Sequence, residues 1–307
     1  MSHNPPAHAG VAGRFIDPAT LKGISNLELV ARTVVEGFIS GLHRSPFLGR
    51  SMDFAEYRPY MPGDDIRRID WKLFSRTDRF YVKEFEADTN TNFHLLLDVS
   101  RSMDFASDGL SKLDYGRYLA ASLGYFAHKQ RDRIGLVTFD NDVVDWVPPS
   151  AKHLPVVLHT LDRTQPGGTS DLHRPLLKVA DRMRRRSIAV LISDLYEEPE
   201  KVVRAIRGLA VRGSDLIVFH LLDRAEIDFP FESIGDFQDL ESHERLPVVP
   251  DYLRDQYREL IAAHVRELKR RLGETFIDYW LIDTARPLDL ALRDYLGSRQ
   301  RALRKYR

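Results

Sequence analysis

The chain has no cysteine among its 307 residues. Disulfides, thiolate metal sites, iron–sulfur clusters and a cysteine nucleophile are therefore excluded. No apolar stretch reaches the roughly 18–20 residues needed to cross a bilayer. The opening MSHNPPAHAGVAG lacks the basic-then-apolar pattern of a secretory leader, and a cytoplasmic location is expected. Net charge is missing too: Lys plus Arg and Asp plus Glu number 45 each, so nothing pulls the whole molecule toward nucleic acid or an acidic membrane. Also absent are the G-x-x-x-x-G-K-[ST] phosphate loop, H-E-x-x-H and the G-x-S-x-G elbow. What remains is 43% hydrophobic and 29% charged, an ordinary balance for a globular protein of one large domain or two.

The pattern along the chain is that of an α/β protein. Residues 1–20 read as a flexible tail. SNLELVARTVVEGFISG has helical spacing, with Ser25 or Asn26 as cap and Gly41 as stop. RFYVKEFEAD alternates as a strand does. From residue 92 short, nearly continuous apolar runs (NFHLLLD, RIGLVTF, SIAVLISD, DLIVFHLLD, TFIDYWLID) alternate with amphipathic segments, as strands buried on both faces alternate with helices. VVDWVP is a short neighbouring strand, and residues 225–250 read as an irregular β-excursion. DYLRDQYRELIAAHVRELKRRL places Leu253, Tyr257, Leu260, Ile261, His264, Val265, Leu268 and Leu272 on one stripe. The expected architecture is a doubly wound, mostly parallel sheet over residues 92–307, preceded by a helix-plus-β extension over 21–91.

In such a sheet, ligands gather outside the carboxyl ends of the strands. Three segments place oxygen there. Asp98 closes NFHLLLD, with Ser100 and Ser102 in the loop behind it. Thr169 follows the glycine pair of QPGGTSDL, where Gly167 and Gly168 let the backbone turn and approach closely. Asp194 closes SIAVLISD. An all-oxygen set of two carboxylates and three hydroxyls suits a hard cation, Mg2+ or Mn2+, rather than zinc. With hydroxyls filling several positions the ion keeps much of its charge, and an open position attracts an external carboxylate. The alternative for these residues is local: Asp98 and Asp194 capping helices, and the hydroxyls satisfying loop amides.

Asp98, Ser100, Ser102, Thr169 and Asp194, in that order, resemble the metal-ion-dependent adhesion site of von Willebrand factor type A domains, and DRIGLVTF resembles that family's second strand. Upstream, Tyr60, Gly63, Asp64, Arg67, Ile69, Asp70, Trp71 and Arg76 resemble the hallmark of the domain-of-unknown-function 58 family. This second resemblance implies a von Willebrand A-like fold and an adaptor that works with a MoxR-type AAA+ ATPase on a client protein, in chaperone-like remodelling or complex assembly.

Read physically, Pro62-Gly63 is a turn signal, and Arg67, Asp70 and Arg76 form an ion-pair network with Trp71 as apolar anchor, or else a docking surface. The basic C-terminus (Arg299, Arg301, Arg304, Lys305, Arg307) reads as a solvated helix face, and no nucleic-acid partner is expected. His43, His94, His128, His159 and His173 lack metal-ligand spacing. The functional expectation is a non-enzymatic, metal-dependent protein-binding adaptor. The competing enzyme is a Mg-dependent phosphohydrolase of the haloacid dehalogenase type with Asp98 as nucleophile. That chemistry needs a second aspartate two residues on as general acid, where this chain has Ser100. A third reading is a purely structural domain.

Overall fold

The computed structural model describes residues 21, 26–41, 54–61, 71–85, 91–183, 187–210, 214–241, 244–275 and 277–305. The first helix, α1 (Leu27–Gly41), starts where Asn26 Oδ1 accepts the amides of Glu28 and Leu29 at 2.9 and 3.2 Å, a side-chain cap for amides that have no helical partner. Strand β1 (Phe54–Pro59) pairs antiparallel with β2 (Tyr81–Phe85), and the short helix α2 (Trp71–Thr77) lies between them in sequence. The strand expected over residues 79–88 is β2. Neither β1 nor α2 was expected; both are short, six and seven residues, and too brief to show a period.

The apolar runs after residue 91 form one six-stranded sheet. Its strands are β3 (Asn92–Asp98), β4 (Arg133–Phe139), β5 (Val143–Ser150), β6 (Ile188–Ser193), β7 (Asp215–Leu222) and, after a separate hairpin, β10 (Asp278–Asp283). Their order is β10-β7-β6-β3-β4-β5. All neighbours are parallel except β4 and β5, which pair antiparallel. Order reverses beside β3: the chain moves outward to β4, then returns to place β6 on the other side. Ligand crevices form at such a switch point.

The helices cover both faces, as a parallel sheet requires. Leu95 and Leu97 point to one face and Leu96 to the other, following the two-residue period of a strand. The first face is covered by α1, α3 (Lys112–Lys129), α4 (Leu154–Arg163) and α9 (Leu288–Lys305); the second by α5 (His173–Arg182), α6 (Pro199–Ala210) and α8 (Pro250–Gly273). Each leucine fully buried between these layers contributes about 1.5–3 kcal/mol. The β-excursion is a short helix α7 (Arg224–Asp228) and the hairpin β8 (Gly235–Gln238) with β9 (Arg245–Val248).

Helix α8 carries the expected apolar stripe, but only part of it is buried. Leu268 and Leu272 are buried, but Leu253 and Leu260 are exposed, Leu260 by 62%. Only the second half of this 24-residue helix lies on the sheet. Periodicity reports an apolar face without saying how much of it finds a partner.

Candidate functional site

The five oxygen-bearing residues sit at the carboxyl ends of β3 and β6 and in the loop before α5. Asp98 is the last residue of β3 and is buried. Its Oδ1 accepts the Ser100 amide at 2.9 Å and its Oδ2 accepts the Ser193 hydroxyl at 2.6 Å. The chain then enters a 3-10 turn (Arg101–Asp104) anchored by buried Met103. Ser100 precedes this turn but makes no side-chain cap bond. Its hydroxyl lies 3.1 Å from that of Ser102.

The loop that carries Thr169 is stitched to the end of β3 through its backbone. Gly167 N–H donates to the Val99 carbonyl at 2.6 Å, Arg101 N–H to the Gly168 carbonyl at 2.9 Å, and Gly168 N–H to Asp140 Oδ2 at 2.8 Å. A Cβ on Gly167 would stand 2.5 Å from Asp140 Oδ2; the close approach needs a residue without a side chain. Thr169 is exposed, and its hydroxyl makes no hydrogen bond among the described residues.

Asp194 follows β6 and is buried. The next residue, Leu195, adopts φ 50, a left-handed conformation that branched residues resist. Leu195 N–H donates to Ser193 Oγ at 3.1 Å, and His264 Nε2 donates to the Leu195 carbonyl at 2.9 Å; these two bonds hold the turn. Asp194 Oδ2 accepts from the Lys112 ammonium at 2.8 Å. Asp194 Oδ1 is buried with no hydrogen-bond partner, an arrangement that costs free energy unless something else supplies positive charge. Neither aspartate caps a helix; Asp98 does satisfy one loop amide, as the local alternative requires.

Lys112, which sequence reasoning missed, is fully buried and bridges Asp194 and Glu226, with Nζ 2.6 Å from Glu226 Oε1. Burial alone would lower its pKa, but the adjacent carboxylates outweigh that and hold it above the usual lysine value. A signal was present. Lys112 is the first residue of α3, whose cap is Ser111, its side chain accepting from Asp114 N–H. A cation at a helix N-terminus opposes the helix dipole, so its position asks for acidic partners elsewhere.

Burial, reinforced by the negative charge of Asp194, pushes the Asp98 carboxyl up to about 7, against the pull of the bonds from Ser193 and Ser100. Asp194 and Glu226 share the Lys112 ammonium, and Asp98 feels the charge of Asp194 without a cation of its own, an excess of two negative charges over the three carboxylates when all are ionised. The donor set is all oxygen and has a buried oxygen facing no donor, so it fits a hard divalent cation.

Of the upstream hallmark, Trp71 and Arg76 are both exposed, Trp71 by 59%. Trp71 meets Phe74 and Phe80 edge-on at 6.2 and 6.4 Å, so it belongs to a small surface aromatic cluster rather than a buried anchor. Gly63, Asp64, Arg67 and Asp70 lie outside the described residues. His94 is buried in β3, consistent with packing. No helix of the described residues is long and apolar enough to cross a membrane.

Comparison with known proteins adds relatives and neighbours. The chain is 29% identical over 273 residues to "Uncharacterized protein Rv1480" of Mycobacterium tuberculosis, covering 85% of this chain and 83% of that one, and equally to "Uncharacterized protein Mb1516" of Mycobacterium bovis. Among solved structures it is similar to a conserved hypothetical protein BatB from Bacteroides thetaiotaomicron (15% identity, TM-score 0.46, 68% of this chain and 98% of that one). It is also similar to an aerotolerance-related membrane protein from Bacteroides fragilis (16%, 0.46, 68% and 99%) and to the SpRpn10 VWA domain (9%, 0.41, 66% and 93%). Function is read from the site and not from these neighbours. Residues 56–268 match the family described as "Protein of unknown function DUF58", and the chain belongs to that family.

Proposed function

We propose that this protein is a non-enzymatic adaptor that holds Mg2+ or Mn2+ at Asp98, Ser100, Ser102, Thr169 and Asp194 and captures a carboxylate of a partner protein at that ion. The observation that carries this reading is the unpartnered buried Oδ1 of Asp194, next to a carboxylate and hydroxyls that the loops hold in place. A divalent cation held by these residues would balance the excess negative charge and, with hydroxyls among its ligands, would keep enough positive charge to attract an external Asp or Glu. Lys112 occupies one oxygen of Asp194 and leaves the other, Oδ1, for an ion to take. Ser100, in hydrogen-bond reach of Ser102, offers no carboxyl to protonate a leaving group, which disfavours phosphohydrolysis.

Exposed apolar side chains beside this end of the sheet, including Ile234, Leu246, Tyr252 and Leu260, support a macromolecular partner. The resemblance to DUF58 proteins makes a MoxR-type AAA+ ATPase in the cytoplasm the partner to test, with a client protein handed between them. Capture of that ATPase should be lost with chelator and in Asp98→Ala. Capture indifferent to both would remove the ion from the mechanism. Turnover of small phosphates with Mg2+, abolished by Asp98→Asn, would replace the adaptor with the enzyme.

A further inference from the structure

Beside the oxygen cluster lies a cleft of about 520 Å3 that shares Ser102 with it, within the usual size range of a ligand site. Its walls combine two kinds of group. Phe105, Tyr196, Phe229, Phe231, Phe237 and Tyr257 supply ring surface. Phe229 stacks on Phe237 at 5.6 Å and meets Tyr257 at 4.7 Å. Phe229 is held at φ 45, a left-handed conformation that costs an aromatic residue free energy. The loop is fastened to α8 by Arg254, whose Nη2 donates to the Phe231 carbonyl at 2.7 Å.

Glu197, Glu226, Asp239 and Glu241 supply negative charge. Backbone amides orient three of them: Leu172 N–H donates to Glu197 at 2.7 Å, Ser170 N–H to Glu241 at 3.1 Å, and Glu241 N–H to Asp239 at 2.8 Å. Neither Glu197 nor Glu241 is in an ion pair among the described residues. The nearby ammonium of Lys112 is committed to Asp194 and Glu226, and it lies over the Tyr196 ring at 4.7 Å. Thus the inner end of this wall already accommodates a cation on an aromatic face.

An apolar group filling the cleft would cover Glu197 and Glu241, which form no ion pair among the described residues, and that is unfavourable. A guanidinium satisfies both surfaces at once, its plane on the rings and its N–H groups on the carboxylates. We infer that the cleft is a subsite for an arginine side chain of the same partner, so that the protein reads a basic residue next to the acidic one. The inference deepens the adaptor reading and rests on it only for the neighbouring acid.

The test uses the full chain and NMR. Nα-acetyl-arginine amide should shift resonances of residues around Phe237, Glu197 and Glu241, and bind at least about fivefold tighter than the neutral Nα-acetyl-citrulline amide. The preference should persist with chelator and disappear in Glu197→Gln combined with Glu241→Gln, a pair of isosteric changes whose retained fold the amide spectrum reports. Equal binding of the two probes, shifts confined elsewhere, or an unchanged preference in the double variant would overturn the inference. Nα-acetyl-aspartate amide with Mg2+ tests the ion separately: its failure to shift the Ser100 and Ser102 signals would sink the metal reading and leave the arginine result standing.

Discussion

At the carboxyl ends of β3 and β6, Asp98, Asp194 and Lys112 are buried and each is held by another group: Asp98 by Ser100 and Ser193, Asp194 and the partly buried Glu226 by Lys112. At the amino end of the same sheet, a cleft of about 570 Å3 is lined by Arg133, Lys152 and Arg182 around His94, with no carboxylate in its wall. Those three cations are exposed and, among the described residues, form no ion pair; Arg182 merely lies over the Trp146 ring at 4.9 Å. The contrast separates charge that the fold has fixed from charge that water solvates. Only the first can be pre-organised for a task, and only the first is expensive to disturb.

The sharpest way to break this contrast is Lys112→Met. It leaves Asp194 and Glu226 facing each other with no ammonium, and stability should fall by about 3–5 kcal/mol in urea unfolding. Adding Glu226→Gln should recover part of the loss. A loss of less than about 1 kcal/mol would mean that the bridge is solvated like any surface pair.

The exception at the amino end comes next. His94 stands in register between Gly135 and Ala189, is buried, and leaves Nε2 without a partner. Burial lowers its pKa from 6.5 to about 4. As pH falls the unfolded chain therefore binds the proton first. Stability from this residue is complete above about 6.5, declines between 6.5 and about 4, and is level below that; the limb is worth about 3 kcal/mol. Urea midpoints followed across that range should show the limb in the wild type and its absence in His94→Leu. Parallel profiles would place the ring in contact with water.

The smallest expected effect belongs to the exposed cations. Alanine at Lys152 or Arg133 should change stability by no more than about 0.5 kcal/mol. A thermal shift clearly beyond that would show that the amino-end charges are organised after all.

The difference between the ends also governs what could be read from the sequence. The sheet was legible because its strands are unbroken apolar runs punctuated by turn residues. The places of Asp98 and Asp194 at strand ends, and of Ser100 and Ser102 just behind β3, were legible because the apolar runs stop there. Lys112 showed only as a cation out of place at a helix start; its partners, 82 and 114 residues away, lie at a separation that local pattern does not span. The arginine-sized cleft was hidden for the same reason. Its rings are scattered from Phe105 to Tyr257 and come together only through the β8–β9 excursion and the unburied half of α8.

Strand β5 forms one border of the sheet and ends in Pro148-Pro149-Ser150. Proline has no amide proton, so the pair removes a donor from the free border at its end and interrupts the ladder a foreign strand would need there. Extension of the sheet by a second copy is thereby discouraged at that end of the border, on the side of β5 that faces away from β4.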